Sequence, residues 1–143
     1  MGMGISVRDA MNKKPLYING NESIEKAASI MAGENKGSVL IGIPDNLMGI
    51  VTERDIIRAI AKSIPVGDSI SKIATMNNLI FINEDEPITR AAALMGKHNI
   101  RHLIVKSKSG KVTGVISTRD LFREKDIIKN LGNINDNDWE GSD

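Results

Sequence analysis

Two segments of the chain place a hydroxyl and a carboxylate at the same spacing. Gly49-Ile-Val-Thr-Glu-Arg-Asp55 and Gly114-Val-Ile-Ser-Thr-Arg-Asp120 each run through an apolar stretch to Thr52 or Ser117, then to Asp55 or Asp120 three residues on. If a helix begins at the hydroxyl, this is a capping box: the hydroxyl takes a first-turn N–H and the acid sits near the positive end of the dipole. The same spacing also suits a ligand. A helix N-terminus with a hydroxyl favours an anion, and a carboxylate one turn on can accept two hydrogen bonds from a ribose diol. Phosphate at Thr52 or Ser117 with ribose at Asp55 or Asp120 is a self-consistent grip on a nucleotide. Arg54 and Arg119 stand between, at the same place in both copies. An exposed helical Arg can be merely solvated, but beside a phosphate it offers a charge-assisted fork. Arg101 and His102 open a further apolar run, Asn99-Ile-Arg-His-Leu-Ile-Val105. They are either an edge pair facing water or a second phosphate contact.

Other chemistries find little support. The chain has 143 residues and no cysteine, which removes disulfides, thiolate metal sites and cysteine nucleophiles. Two histidines, His98 and His102, do not make a His-rich metal site. No nucleophile lies beside a plausible base, and neither a phosphate-binding P-loop nor a Gly-x-Gly-x-x-Gly fingerprint is present. We therefore expect no catalytic residues, no metal and no enzyme activity. Aromatic residues make up 3% of the chain, too few for base-stacking platforms. Net charge is +1, with four acids and no base after Lys129, which leaves about +5 for the rest. That is too mild a surplus to suggest nucleic-acid binding. No stretch approaches the roughly 20 apolar residues of a membrane span, and Met1 to Ile5 is too short and polar for a signal peptide. The expectation is a soluble, cytoplasmic protein.

The elements that must position these residues come in two copies. Ser23-Ile-Glu-Lys-Ala-Ala-Ser-Ile-Met-Ala32 aligns with Pro87-Ile-Thr-Arg-Ala-Ala-Ala-Leu-Met-Gly96 at an offset of 64, and the Gly49 and Gly114 segments align at 65. Two blocks in order at nearly one offset indicate an internal duplication. A unit of about 60 residues buries too little surface to stand alone, so the halves should pack on each other and leave two related clefts at their seam. Each unit begins with an extended stretch, Leu16 to Ile18 or Leu79 to Ile82. A helix follows with Ile24, Ala27, Ala28 and Met31, or Ile88, Ala91, Ala92 and Met95, at core spacing. Pro87 fits its first turn. Two strands come next, Ser38 to Ile43 with Leu47 to Val51, or His102 to Val105 with Val112 to Ile116. A second helix starts near Thr52 or Ser117. The order is β-α-β-β-α, twice. Residues 7–62 and 70–125 are the expected repeats, 63–69 a linker, and 126–143 an acidic, disordered tail.

These features together resemble a tandem pair of CBS domains, the Bateman module. The resemblance runs from Val7 to Arg123. It rests on the Val7-Arg-Asp-Ala-Met11 opening, the Ile-x-x-Ala-Ala-x-x-Met helices, Asn99 to Val105, and the two Gly-x-x-Ser/Thr-x-Arg-Asp endings. It implies an α+β fold of two repeats packed with pseudo-twofold symmetry, and clefts for adenosyl ligands: AMP, ADP, ATP, S-adenosylmethionine or dinucleotides. By position, Asp55 and Asp120 would hold ribose, Thr52 and Ser117 ribose or phosphate, and Arg54 and Arg119 phosphate. Adenine would meet Thr75, Asn78 and Ile80, with Ile100, Arg101 and His102 on the opposite wall. Which opening segment shares a cleft with which Asp is left open. Asn12 and Gly37 depart from the pattern, so the second repeat looks better equipped. The implied role is a non-catalytic sensor that needs no cofactor, with the nucleotide as its regulatory ligand. The expected assembly is a stand-alone pair that dimerises with a second copy and acts on a regulated protein of unknown identity. The competing reading is a ligand-independent interaction module whose Ser/Thr-x-x-Asp segments are only caps and whose tail, with Trp139, does the docking.

Overall fold

The computed structural model describes residues 4–123. The expected tail, 126–143, lies outside them. The elements are α1 (Val7–Ala10), β1 (Tyr17–Ile18), α2 (Ile24–Glu34), β2 (Ser38–Ile43), β3 (Asn46–Thr52), α3 (Glu53–Ala61), β4 (Phe81–Asn83), α4 (Ile88–His98), β5 (His102–Lys106), β6 (Val112–Ser117) and α5 (Thr118–Arg123), with a 3-10 turn at Ile70–Lys72. This is an α+β architecture with one unit built twice. In each unit the first strand runs parallel to the second, which pairs antiparallel with the third, giving sheets β1-β2-β3 and β4-β5-β6.

Local chemistry accounts for the helices. Ser23 caps α2 by accepting the Lys26 N–H at 3.0 Å. Both α2 and α4 end on an asparagine in the left-handed conformation, Asn35 and Asn99, at φ 54° and 53°. Two expectations need correction. Pro87 is the N-cap of α4 and lies outside its first turn. Ala92 is exposed, and the buried stripe is Ile88, Ala91 and Met95, with Leu94 half-buried beside it. The core therefore covers a narrower arc of α4 than the alanine pair suggests.

Among the described residues three apolar clusters hold the fold together. Leu40, Ile104 and Val115 form the seam between the sheets, flanked by Tyr17, Leu47, Ile50, Leu79, Phe81 and Val112. Leu40 and Ile104, Tyr17 and Phe81, Leu47 and Val112, and Ile50 and Val115 are pairs at the repeat offset, so the seam is itself pseudo-twofold.

The other two clusters cross the repeat boundary. Val7 of α1 is fully buried in the core of the second unit, among Ile82, Ile88 and Leu103. Ile70 is fully buried in the core of the first, with Ile18, Ile24 and Val39. The opening segments are exchanged. Asn12 and Val115 trade backbone hydrogen bonds at 2.9 and 3.1 Å, and Thr75 and Ile50 do so at 2.8 and 2.9 Å. Each opening segment thus edges the other unit's sheet. The exchange also accounts for Gly49, where a Cβ would lie 2.6 Å from the Thr75 carbonyl oxygen, and for Gly114, where it would strike the Asn12 carbonyl.

Candidate binding clefts

The exchange decides which residues meet. Thr52, Arg54 and Asp55 face Thr75, Asn78 and Ile80 across a cleft of about 600 Å³ whose other wall holds Ile100, Arg101 and His102. Nine of the twelve residues singled out from the sequence are here. Ser117, Arg119 and Asp120 line a second cleft of about 590 Å³ together with Asn12, Lys14, Leu16 and Lys36. Arg101 and His102 border both. The question of which opening segment serves which carboxylate is thereby answered: the later one serves Asp55 and the earlier one Asp120.

Both carboxylates act as caps, and each does so with one oxygen. The Thr52 backbone N–H and hydroxyl donate to Asp55 Oδ2 at 2.9 and 3.1 Å. The Ser117 pair donates to Asp120 Oδ2 at 2.8 and 3.1 Å, and the Asp120 N–H returns a bond to Ser117 Oγ at 3.2 Å. Among the described residues Asp120 Oδ1 has only Arg123, at 3.8 Å. A carboxylate offers about four lone-pair sites, so capping uses part of its capacity and leaves the remainder for a diol. The cap and the ligand grip are compatible. The anion site is narrower than the sequence suggested, because the Glu53 N–H donates to the Gly37 carbonyl and the Thr118 N–H to the Arg101 carbonyl, each at 3.0 Å.

The paired arginines strap the units together. Arg54 donates to the carbonyl of Asn99 at 2.9 Å, and Arg119 to that of Asn35 at 3.1 Å. Each guanidinium therefore sits at the negative C-terminal end of a helix in the other unit. One bond occupies one of five donors, so a phosphate contact stays available.

Between the clefts lies His102. A Cβ at Gly37 would be 2.9 Å from its Nε2. The missing side chain at Gly37 is thus room for the ring, and only one basic residue, Arg101, stands at this pair of equivalent positions. Burial pushes the His102 imidazole below its ordinary range; Glu53 and Asp120 oppose the shift, and Arg119 and Arg101 add to it.

Sequence reasoning did not name Lys14, Lys36 or Glu53. The signal was available for the lysines, which lie 64 residues before Asn78 and Ile100. Among the described residues no group of acids and histidines could hold a metal ion, and no helix is long and apolar enough to cross a membrane.

Two exchanged β-α-β-β-α units with paired clefts at their seam define a tandem-repeat module with two related clefts. The CBS domain model matches residues 7–62 and 66–128, and the chain belongs to that family. It is 33% identical to an uncharacterized 17.7 kDa protein of Acidianus ambivalens over 85% of this chain and 73% of that one. It resembles a CBS domain protein from Pyrobaculum aerophilum complexed with AMP, with TM-score 0.77, 30% identity, and coverage of 91% of this chain and 100% of that one. It also resembles a CBS domain pair complexed with 5′-methylthioadenosine and S-adenosyl-L-methionine, with TM-score 0.74, 32% identity, and coverage of 84% and 94%. Some relatives are much longer: the chain spans 22% of an L-aspartate semialdehyde sulfurtransferase of Methanocaldococcus jannaschii, to which it is 32% identical over 82% of its own length.

Proposed function

We propose that the protein is a non-catalytic sensor that binds adenosyl ligands, of the AMP, ADP and ATP class, in its two clefts. One observation carries the reading. Thr75, Asn78 and Ile80, the Thr52 to Asp55 turn, and the Ile100 to His102 entrance are far apart in sequence and line one cleft. Such a cleft has an apolar slot for a base, a half-free carboxylate for ribose, and guanidinium and hydroxyl groups for phosphate. Arg54 and Arg119 tie one unit to the other. A phosphate that recruits them changes how the units are strapped, which is a route from binding to geometry. The coupling needs different affinity in the two arrangements. Both solved relatives with adenosine-containing ligands support the class.

The assembly read here is a homodimer. Ile57 and Ile60 on α3 and Phe122 on α5 are 65%, 61% and 59% exposed, and Ile57 and Phe122 are repeat equivalents. A second copy would cover these faces and give a disc of four units, presented to a regulated protein. Ile57 also borders the Asp55 cleft, so dimer geometry and occupancy are neighbours. A cytoplasmic location goes with this reading, because the ligands are cytoplasmic metabolites.

The test is a thermal-shift panel with AMP, ADP, ATP, S-adenosylmethionine, NADH and GTP at about 1 mM. A ligand at about 100 times its Kd adds about 2.7 kcal/mol, several degrees in Tm. Shifts with adenosyl ligands and none with GTP are expected. A flat panel from cooperatively melting, nucleotide-free protein would favour the ligand-independent module.

A further inference from the structure

Positive charge gathers at the Asp120 cleft beyond what its own acids answer. Lys13, Lys14, Lys36, Arg101, Arg119 and Arg123 line it, against Glu34, Glu53 and Asp120, a surplus of three. The Asp55 cleft has Arg54, Arg58 and Arg101 against Glu53 and Asp55, a surplus of one. Among the described residues, only Arg123 of the six cations has a carboxylate within ion-pair reach, Asp120 at 3.8 Å. Lys14 and Lys36 stand where the Asp55 cleft has Asn78 and Ile100. In the adenosyl reading these are base-end positions, and an uncharged purine does not neutralise two ammonium groups. Beside the lysines, the half-buried Ala10, Met11 and Leu16 supply apolar lining. The complement of such a slot is a flat apolar group flanked by carboxylates.

The chain carries that group and is led toward the slot. Arg123, where the described residues end, lines the Asp120 cleft. Sixteen residues further on stands Trp139, the only tryptophan, within Asp136-Asn-Asp-Trp-Glu140, with Asp143 beyond and no Lys or Arg after Lys129. We propose that residues 136–143 dock in the Asp120 cleft of their own chain, with the Trp139 indole against the apolar lining and Asp138 and Glu140 against Lys14 and Lys36. A flexible chain of sixteen residues spans about 20 Å, so the tether reaches back to a cleft that begins at its root. Tethering gives an effective concentration on the order of millimolar, at which individually weak ion pairs suffice. An ammonium over the indole face adds a cation–π attraction. Any ligand of that cleft must then displace the segment, while the Asp55 cleft stays open. The base-end step rests on the adenosyl reading; the charge surplus and the path of the chain do not.

The experiment follows the emission and acrylamide quenching of Trp139, the single tryptophan, in the nucleotide-free full chain. The proteins are wild type, Lys14→Asn/Lys36→Ile, which gives the cleft the residues of its twin, Asp138→Asn/Glu140→Gln, and the combination of all four changes. Arg58→Gln is the control in the other cleft. Wild type should emit at shorter wavelength than the urea-unfolded chain and be quenched severalfold less. Each double variant should move both readings toward the unfolded values, and the combination should go no further. Arg58→Gln should leave them unchanged. Raising salt from about 50 to about 500 mM should release the indole in wild type and do little in the double variants. The changes at Asp138 and Glu140 touch no residue of the described fold, so that arm reads the contact even where the lysine variant folds poorly. An indole as exposed in wild type as in urea, or a shielded one that the lysine variant leaves in place, would overturn the proposal. No arm needs a nucleotide: a flat ligand panel leaves this docking standing, and an exposed indole leaves the adenosyl reading standing.

Discussion

The carboxylates Asp55 and Asp120 hold a helix start with one oxygen and leave capacity on the other. Asp120→Ala is therefore expected to cost in two measurements. Loss of the cap lowers stability by about 0.5–2 kcal/mol in a denaturant titration. Loss of a charged acceptor weakens ligand binding in that cleft by about 1–3 kcal/mol. Asp120→Asn, which keeps an oxygen acceptor for the cap, should recover most of the stability and less of the affinity. Full affinity in Asp120→Ala would remove the carboxylate from the site. His102 makes a second prediction at this scale. Burial depresses its folded-state pKa, so the unfolded chain holds the extra proton first, and stability is complete above the ordinary imidazole pKa of about 6.5. It is lost as pH falls from there toward the lower folded value. The Tm should drop on going from about pH 7.5 to about pH 5.5, and His102→Gln should flatten that slope. An unchanged slope would place the titrating group elsewhere.

Among the elements, the exchanged opening segments matter most. Each is stitched to the other unit's sheet by two backbone hydrogen bonds, next to a glycine whose Cβ position is occupied by the passing chain. Gly49→Ala would put a methyl 2.6 Å from the Thr75 carbonyl. Rigid backbone cannot yield as a side-chain tip can, so we expect a loss of about 1–3 kcal/mol, the scale of overpacking. The Asp55 cleft should also loosen, because Thr75 and Asn78 move with the segment. Gly33→Ala is the control, since nothing lies within 4 Å of its Cβ position. It sits in α2, where alanine is the better helix former, so it should be neutral or stabilising. Equal effects of the two changes in a urea melt would argue against close approach as the reason for Gly49. The strapping arginines act at the same scale. Arg54→Ala removes a cation from the C-terminal end of α4 and should cost about 0.3–1 kcal/mol, less at high salt.

For the molecule as a whole, exchange makes the two units one cooperative body. Val7 buried in the second core and Ile70 in the first mean that neither unit can open without uncovering part of the other. A single transition is expected by both fluorescence and circular dichroism, with no separate melting of one repeat. Assembly is tested at the apolar helix faces. If the proposed homodimer forms through these faces, Ile57→Asp with Phe122→Asp should turn it into a monomer by light scattering, while the fold is retained, because both side chains are more than half exposed. Unchanged mass would place the interface elsewhere.

The sequence by itself determined the duplication, the element order and the family, because these reside in local spacing: the offsets of 64 and 65, the helical stripes and the Ser/Thr-x-x-Asp caps are all readable along the chain. It also supplied the residues of the Asp55 cleft, although not their grouping. It misplaced the start of α4 at Pro87 and the burial of Ala92, since the arc a helix buries depends on the surface it meets. The partnering of Asp55 with Thr75 and of Asp120 with Asn12 was decided by the tertiary structure. A chain segment can edge either of two similar sheets, and the choice depends on which core accepts Val7 and which accepts Ile70. The same holds for Gly37, which reads as a missing cation in the sequence and as space for the His102 ring in the folded molecule.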